Sequence, residues 1–328
     1  MKSGDQKQEV EGKMKYVFGA DIGGTTVKLG LFQADGALLE KWEIPTVIED
    51  EGEAVLRDVT AAVENCMARR GIDRADVLGI GAGIPGPVTA DGTVNRCVNL
   101  GWGVFNVSEA LARISGFPVE SANDANVAAL GEYWMGGGKG CRDMLFVTLG
   151  TGVGGAVIAD GKLIAGAHGA GGELGHMVIN RDEPEACACG RHGCVQQYAS
   201  ATGIVRVAKQ YLDAHPDAVS AMRDVDKLTA KAVFDCAAAG DAAAKAALET
   251  VYDAFGFFLA AGCTVSDPEA VVIGGGVSRA GAPLLEGVRQ GFLKYAFYPN
   301  RDVRFALASL GNDAGIYGCC KLILDRFS

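Results

Sequence analysis

The chain has 328 residues, 49% of them hydrophobic and 21% charged, with a net charge of -10. Such a length exceeds what one core usually fills and predicts two domains. The acidic balance argues against a nonspecific grip on nucleic acid or an anionic membrane, and so points to a small-molecule partner.

The opening MKSGDQKQEVEGK is polar and lacks the apolar stretch of a secretory signal. A flexible tail over residues 1–14 and a reducing, cytoplasmic compartment are therefore expected. No apolar run approaches the roughly 18 residues of a membrane span. From Tyr16, YVFGADIGGTTVKLGLFQADGALLEKWEI reads as three short strands turning at Gly23-Gly24 and at Asp35-Gly36. Asp21 closes the first strand. A carboxylate there can hold Mg²⁺ through water while the Gly23 and Gly24 amides and the Thr25 and Thr26 hydroxyls face phosphate oxygens. A turn aspartate bonding its own backbone accounts for the same residues.

AVLRDVTAAVENCMARRG has the pattern of a helix ending at Gly71. GAGIPG (Gly81 to Gly86) matches G-x-G-x-x-G, but Pro85 and Pro87 forbid the helix that a dinucleotide fingerprint needs. In SANDANVAALGEYW, Asp124 stands where an apolar helical pattern begins. It reads either as an N-cap beside Asn123 and Asn126 or as a general base with Asn123 as its hydrogen-bonding neighbour.

LFVTLGTGVGGAVIADGKLIAG then repeats the opening figure, with a strand, a Gly-rich corner, a second strand, and a turn at Asp160-Gly161 into a third. This is a weak internal repeat whose Gly-rich corners align only with a short gap. GTGVGG (Gly150 to Gly155) runs into the strand-like AVIA, and no P-loop pattern occurs. A nucleotide would have to be held by strand-turn-strand corners presenting backbone N–H groups to phosphates.

In GAGGELGHMVI, Glu173 and His176 lie three apart, and Cys187, Cys189 and Cys194 follow as H-x10-C-x-C-x4-C. One imidazole and three thiolates complete a tetrahedral Zn²⁺ shell with no open position, which makes the site structural. A disulfide staple is the rival, disfavoured by the expected compartment. His192 is a competing ligand, disfavoured because it lies inside the Cys189 to Cys194 loop while His176 ties two segments together. The other cysteines lack such spacing and are expected to pack as small apolar residues.

AKAVFDCAAAGDAAAKAALETVYDAFGFFLAAGC and AGIYGCCKLILDRF are helical in pattern. Between them, PEAVVIGGGVSRAG reads as a buried strand, the glycines Gly274, Gly275 and Gly276, and a helix start. Such a corner lets a flat ring or a ribose come close, or is simply a tight turn. Strand triplets mixed with helices give an α/β class.

In this order the motifs resemble the ROK family of sugar kinases and repressors, from about Tyr16 to the C-terminus. DIGGTTVKLG, which includes Lys28, is similar to the family's first phosphate motif and LGTGVGGAVI, with Gly150, Thr151 and Gly152, to its second. GIPGPVTADGTVNRCVNLGW is similar to the sugar-loop segment, NDANVAALGE to the catalytic segment, and GELGH with CACGRHGC to the zinc signature. The resemblance implies an actin-like ATPase (ribonuclease H-like) fold of two lobes: residues 15–120, completed by a C-terminal helix over about 313–328, and residues 121–312, with the zinc-binding segment at 176–194. Nucleotide and sugar would share the cleft between them.

The implied reaction is ATP-dependent phosphorylation of glucose on its 6-hydroxyl, with Mg-ATP as donor, Asp124 as base and zinc as a structural ion. Asn123, Glu173 and His176 match sugar-holding positions, and Gly86 and Asn99 join the same pocket. A homodimer or higher homo-oligomer is implied as well. Alternatives are a kinase for N-acetylmannosamine, allose or fructose, and a non-catalytic sugar-binding regulator. The regulators place a helix-turn-helix domain ahead of the sugar-binding part, which a first strand at Tyr16 does not accommodate. One position departs from the family. Where a glutamate usually follows the last zinc cysteine by two residues, this chain has Gln196, which keeps one acceptor oxygen, gains a donor and loses a charge.

Overall fold

The computed structural model describes residues 14–327; the tail expected at the N-terminus lies outside the described residues except for Met14. Strands β1 (Tyr16–Ile22), β2 (Thr26–Gln33) and β3 (Leu38–Pro45) are followed by α1 (Val55–Arg70), β4 (Val77–Ile84), a hairpin of β5 (Thr93–Val94) and β6 (Phe105–Asn106), α2 (Val107–Ser115) and β7 (Val119–Asn123). Helix α3 (Asp124–Met135) leads to β8 (Met144–Leu149), β9 (Val153–Ala159) and β10 (Lys162–Leu163). Then come α4 (Gln196–Ala199), α5 (Ala201–Ala214), α6 (Ala230–Ala238), α7 (Ala242–Ser266), β11 (Ala270–Gly274), α8 (Ala282–Tyr295), β12 (Arg304–Leu307) and α9 (Ala314–Arg326).

The strands form two five-stranded sheets of matching order, β3-β2-β1-β4-β7 and β10-β9-β8-β11-β12. In each, the first three strands are antiparallel neighbours and the last two run parallel to the first. The weak sequence repeat is thus a duplicated sheet, and the fold is the α/β actin-like ATPase architecture. Strand β7, inside which the expected boundary at residue 120 falls, is an edge strand of the first sheet.

Both faces of each sheet are covered, so their central strands are apolar on both sides. In β1, Phe18 packs toward α1 and α2 with Val59, Val63 and Leu111, while Val17 faces α9 with Ile316 and Ile323. In β8, Leu145 and Val147 face α5, α7 and α8, while Phe146 meets Leu130 of α3. Helices α3 and α9 therefore fill the space between the sheets. They touch backbone to backbone, because Gly318 of α9 rests on Val127, where any Cβ would collide with the Val127 carbonyl.

Helix α1 ends as its sequence predicts, with Gly71 in the left-handed region at φ 64°. The stretch Ala230 to Cys263 is not one helix. Gly240 turns at φ 100° and Asp241 caps α7 by accepting the Ala244 N–H at 3.0 Å, so the chain reverses there. Among the described residues, α7 is long and apolar enough to span a bilayer, which inspection for apolar runs missed. Its apolarity is explained by burial of Phe255, Phe258, Leu259 and Cys263 in the second core.

Candidate functional site

A cleft of about 820 Å³ opens where the corners of the two sheets meet. The residues that line it include Asp21, Gly23 and Lys28 from the first sheet and Asp124 from the start of α3. The second sheet contributes Gly150, Gly152 and Gly274 to Gly276, and Gln196 adds to the wall. The three Gly-rich corners singled out in the sequence thus face one space. Gly24, Thr25, Thr26 and Thr151 stand beside it: Gly24 lies against Asn99, Thr26 enters β2, and the Thr25 and Thr151 carbonyls accept bonds from Thr46 N–H and Thr202 Oγ1 at 2.9 Å each.

Asp21 sits one residue before the end of β1, paired with Lys28 of β2 and with Gly83 of β4. Burial pushes its carboxyl up to about 6 from an ordinary 3.8, the Lys28 charge opposes this, and the Asp124 carboxyl adds to the rise. Its carboxyl rests against Gly315 at the start of α9, where any side chain would collide with it. The absence of a side chain at Gly315 is therefore what leaves room for the Asp21 carboxyl in this position.

At the start of α3 the two expectations for Asp124 separate. Asn123 is the N-cap, with Oδ1 accepting the N–H groups of Ala125 at 2.9 Å and Asn126 at 3.3 Å. Its Nδ2 donates to the Gly86 carbonyl at 2.9 Å, which ties the sugar-loop segment to the helix. Asp124 is the first helical residue, and its side chain is open to the cleft. Loss of water around it raises its pKa, the Ala125 N–H bond at 2.8 Å opposes the rise, and the Glu173 carboxylate adds to it. A carboxyl so raised is a stronger proton acceptor once ionised.

Beyond Glu173, His176 presents Nε2 to the Glu173 carboxylate at 4.0 Å. His176, Cys187, Cys189 and Cys194 bring one ligand atom each to within 4.8 Å of one another. The Cys189 and Cys194 sulfurs are 3.6 Å apart. That is far beyond a disulfide bond of about 2.05 Å and close to the edge of about 3.8 Å that a tetrahedron with metal–sulfur bonds of about 2.3 Å requires. His176 Nδ1 is buried without a hydrogen-bond partner among the described residues. His192 is turned away, its Nδ1 lying 3.0 Å from the Glu183 carbonyl. The donor set and its spacing thus fit a four-coordinate zinc ion.

Gln196 joins the two regions. Its Nε2 donates to Cys187 Sγ at 2.9 Å, and its Oε1 faces Gly152 across the cleft wall.

Several residues escaped the sequence reading. Behind the thiol cluster, Glu183 accepts from Tyr198 Oη at 2.6 Å and pairs with Arg206, which also reaches Glu185 at 3.0 Å. This buried network fastens the cysteine loop to α5. Thr148, Ser278, Arg279, Ser309 and Asn312 line the cleft, and Glu132 lies buried under its edge. None carries a local motif, although Glu132 closes the NDANVAALGE segment. Six of the cysteines outside the cluster are buried and Cys236 is half-buried.

The ROK family profile matches residues 17–326. The glucokinase of Halalkalibacterium halodurans is 40% identical over 309 residues, covering 93% of either chain. Among solved structures, the ROK hexokinase of Thermus thermophilus superposes with a TM-score of 0.80 at 30% identity, covering 95% of this chain and 99% of that one. A ROK family glucokinase of Streptomyces griseus, solved in complex with glucose and AMPPNP, does so with a TM-score of 0.72 at 33% identity, covering 94% and 98%.

Proposed function

The chain belongs to the ROK family, and on that footing we propose that it transfers the γ-phosphoryl group of ATP to the 6-hydroxyl of glucose. The observation that carries this is the division of labour at the start of α3. Asn123 caps the helix, so Asp124, whose Oδ1 accepts the N–H of the next residue Ala125, turns its carboxyl onto the cleft between two Gly-rich corners.

Asp124 takes the proton from the sugar hydroxyl as its oxygen attacks the γ-phosphorus in line. Its raised pKa lowers the penalty for accepting that proton. Activity accordingly falls on acidification at a pH above the one at which an ordinary aspartate takes up its proton. The turns at Gly23-Gly24, Gly150 to Gly152 and Gly274 to Gly276 let the phosphates approach the backbone, although the Gly23 and Gly150 N–H groups are themselves spent on the Thr26 and Gly152 carbonyls, and Lys28 adds positive charge on the Asp21 side. Asp21, a desolvated carboxyl on the cleft wall, is the group that would hold Mg²⁺ through water. Magnesium bound there neutralises phosphate charge. Asn123, Glu173, His176, Gly86 and Asn99 form the sugar side.

The zinc that His176, Cys187, Cys189 and Cys194 would hold is structural: all its positions are filled by protein, so it stiffens the wall that carries Glu173 and His176. Residues 15–120 with α9, and the remainder to residue 312, act as the two lobes, with the boundary moved past β7, which belongs wholly to the first sheet. Exposed Phe257, Tyr295, Phe297 and Tyr298 form an aromatic surface suited to a homodimer.

A second activity, phosphorylation of N-acetylmannosamine, allose or fructose, is favoured by one observation. Gln196 gives one of its two amide N–H groups to Cys187 and brings no charge to the sugar. A coupled assay for ADP across these hexoses with Mg-ATP separates the two. Glucose giving the highest kcat/KM supports the first, another hexose supports the second, and no turnover with any of them refutes both.

A further inference from the structure

We infer that Glu132 is a positioning residue that pins together the two passages of the chain between the sheets, and through them sets the geometry of the cleft. Its effect on phosphoryl transfer rests on the kinase activity proposed above. The pin itself does not.

The chain leaves the first sheet through α3 and residues 136–143 to reach β8. It returns from β12 through residues 308–313 to α9. Any movement of one sheet against the other must be taken up in these two segments. Glu132 holds both. Its Oε2 accepts the Gly137 N–H at 2.8 Å on the outward passage and the Ser309 N–H at 2.9 Å on the return, and its Oε1 accepts the Leu310 N–H at 2.7 Å. A further bond ties the outward passage to β12 itself, from Arg304 Nη1 to the Gly137 carbonyl at 2.9 Å.

Glu132 is 0% exposed, and no ion pair to it occurs among the described residues. Burying a carboxyl group is tolerated only where its oxygens are satisfied, and here three backbone N–H groups do so. An apolar residue of equal size would fill the volume and leave those N–H groups unpaired. What distinguishes the carboxyl is its pair of acceptors, Oε2 shared between the outward and the return passage and Oε1 on the return passage.

The consequence for the cleft is direct. Ser309, Gly311 and Asn312 line it, and the Asn312 carbonyl accepts from Lys28 Nζ at 3.4 Å. Ala308 abuts the Gly274 corner. On the other side, Glu132 lies eight residues along α3 from Asp124, about 12 Å by helical rise. The residue thus couples the helix that aims Asp124 to the wall on the nucleotide side. Gly136 guards the arrangement from outside, because a Cβ there would collide with the Glu132 carboxyl.

Glu132→Gln keeps the size but turns an NH₂ group toward at least one N–H donor. Gly136→Ala displaces the carboxyl without altering it, and serves as the independent variant if the first does not fold. Hydrogen exchange on the ligand-free full chain reads the pin alone. In both variants, exchange over 136–138 and over 309–311 rises together by about tenfold or more, while α3 residues 127–131 are unchanged. Kinetics then read its use: kcat falls about tenfold, and KM for glucose stays within twofold because Asn123, Glu173 and His176 do not touch the pin. Loosening at one passage only, or at neither, overturns the proposal. So does an unchanged kcat with both passages loosened. If the wild-type protein phosphorylates no hexose, the kinase activity is refuted, and the exchange result by itself decides whether the pin exists.

Discussion

The two Gly-rich corners that face each other across the cleft share a topology and differ in chemistry. At the first, Ile22 pairs with Val27 across four intervening residues; at the second, Leu149 pairs with Val153 across three. One residue before each turn the first sheet carries Asp21 and the second carries Thr148, and their parallel neighbours are Gly83 and Gly274. Duplication supplied backbone N–H groups and close approach on both sides. The aspartates Asp21 and Asp124 gathered on one side, since Asp124 also follows the end of a first-sheet strand, whereas the second side carries Arg279. The first corner is thus suited to metal and proton, the second to phosphate and nucleotide.

The sharpest way to break that contrast is Asp124→Asn. Hexose phosphorylation is expected to fall about 1,000-fold, within the range for loss of a general base, with the melting temperature little changed because Asn123 still caps α3. A loss under about tenfold would leave Asp124 with no proton to accept. Next in size, Asp21→Asn should lower kcat about 100-fold while Thr148→Val lowers it less than about tenfold, both read by initial rates at saturating Mg-ATP. Equal losses would erase the difference between the corners.

Asp21 also has a signature in stability. Its carboxyl binds a proton more tightly folded, at about 6, than at its ordinary 3.8. The folded state therefore gains from that proton fully below about pH 4, and the gain is lost as pH rises through about 6. Asp21→Asn should then melt above the wild type at pH 8, with the gap closing toward pH 4. A gap that widens toward acid pH contradicts the assignment.

The metal cluster provides a smaller effect on rate and a clear one on composition. Cys189→Ala should reduce bound zinc from about one ion per chain to none and lower the melting temperature, both measurable on the purified protein. The Glu183–Arg206–Tyr198 network still holds the loop to α5, so the chain is expected to remain folded. The smallest effect belongs to Gln196→Glu, which removes the donor to Cys187 and adds a charge at the sugar side. A change of a few-fold in KM for glucose, with a shifted hexose profile, is expected. An unchanged KM and profile would place Gln196 outside sugar recognition.

Much of this was legible in the chain because it is local. Asp21 before two glycines, the paired strand triplets, and the H-x10-C-x-C-x4-C spacing each lie within a short window, and periodicity marks the helices around them. What remained hidden depends on partners distant in sequence. Which residue caps α3 is visible only from Asn123 bonding forward to α3 and across to Gly86. Glu132 reads as a polar residue on a helix until Ser309 and Leu310 arrive from the far end of the chain. The break at Gly240 was missed because the alanine-rich flanks on both sides satisfy helical periodicity equally well.

The most direct measurement of the central claim is ³¹P NMR of the wild-type protein with glucose and Mg-ATP. Direct transfer to the sugar with Asp124 as base predicts a glucose 6-phosphate resonance growing in step with ADP, with no excess inorganic phosphate, and none of this with Asp124→Asn. Release of inorganic phosphate without a sugar ester, or equal ester formation by Asp124→Asn, would contradict it.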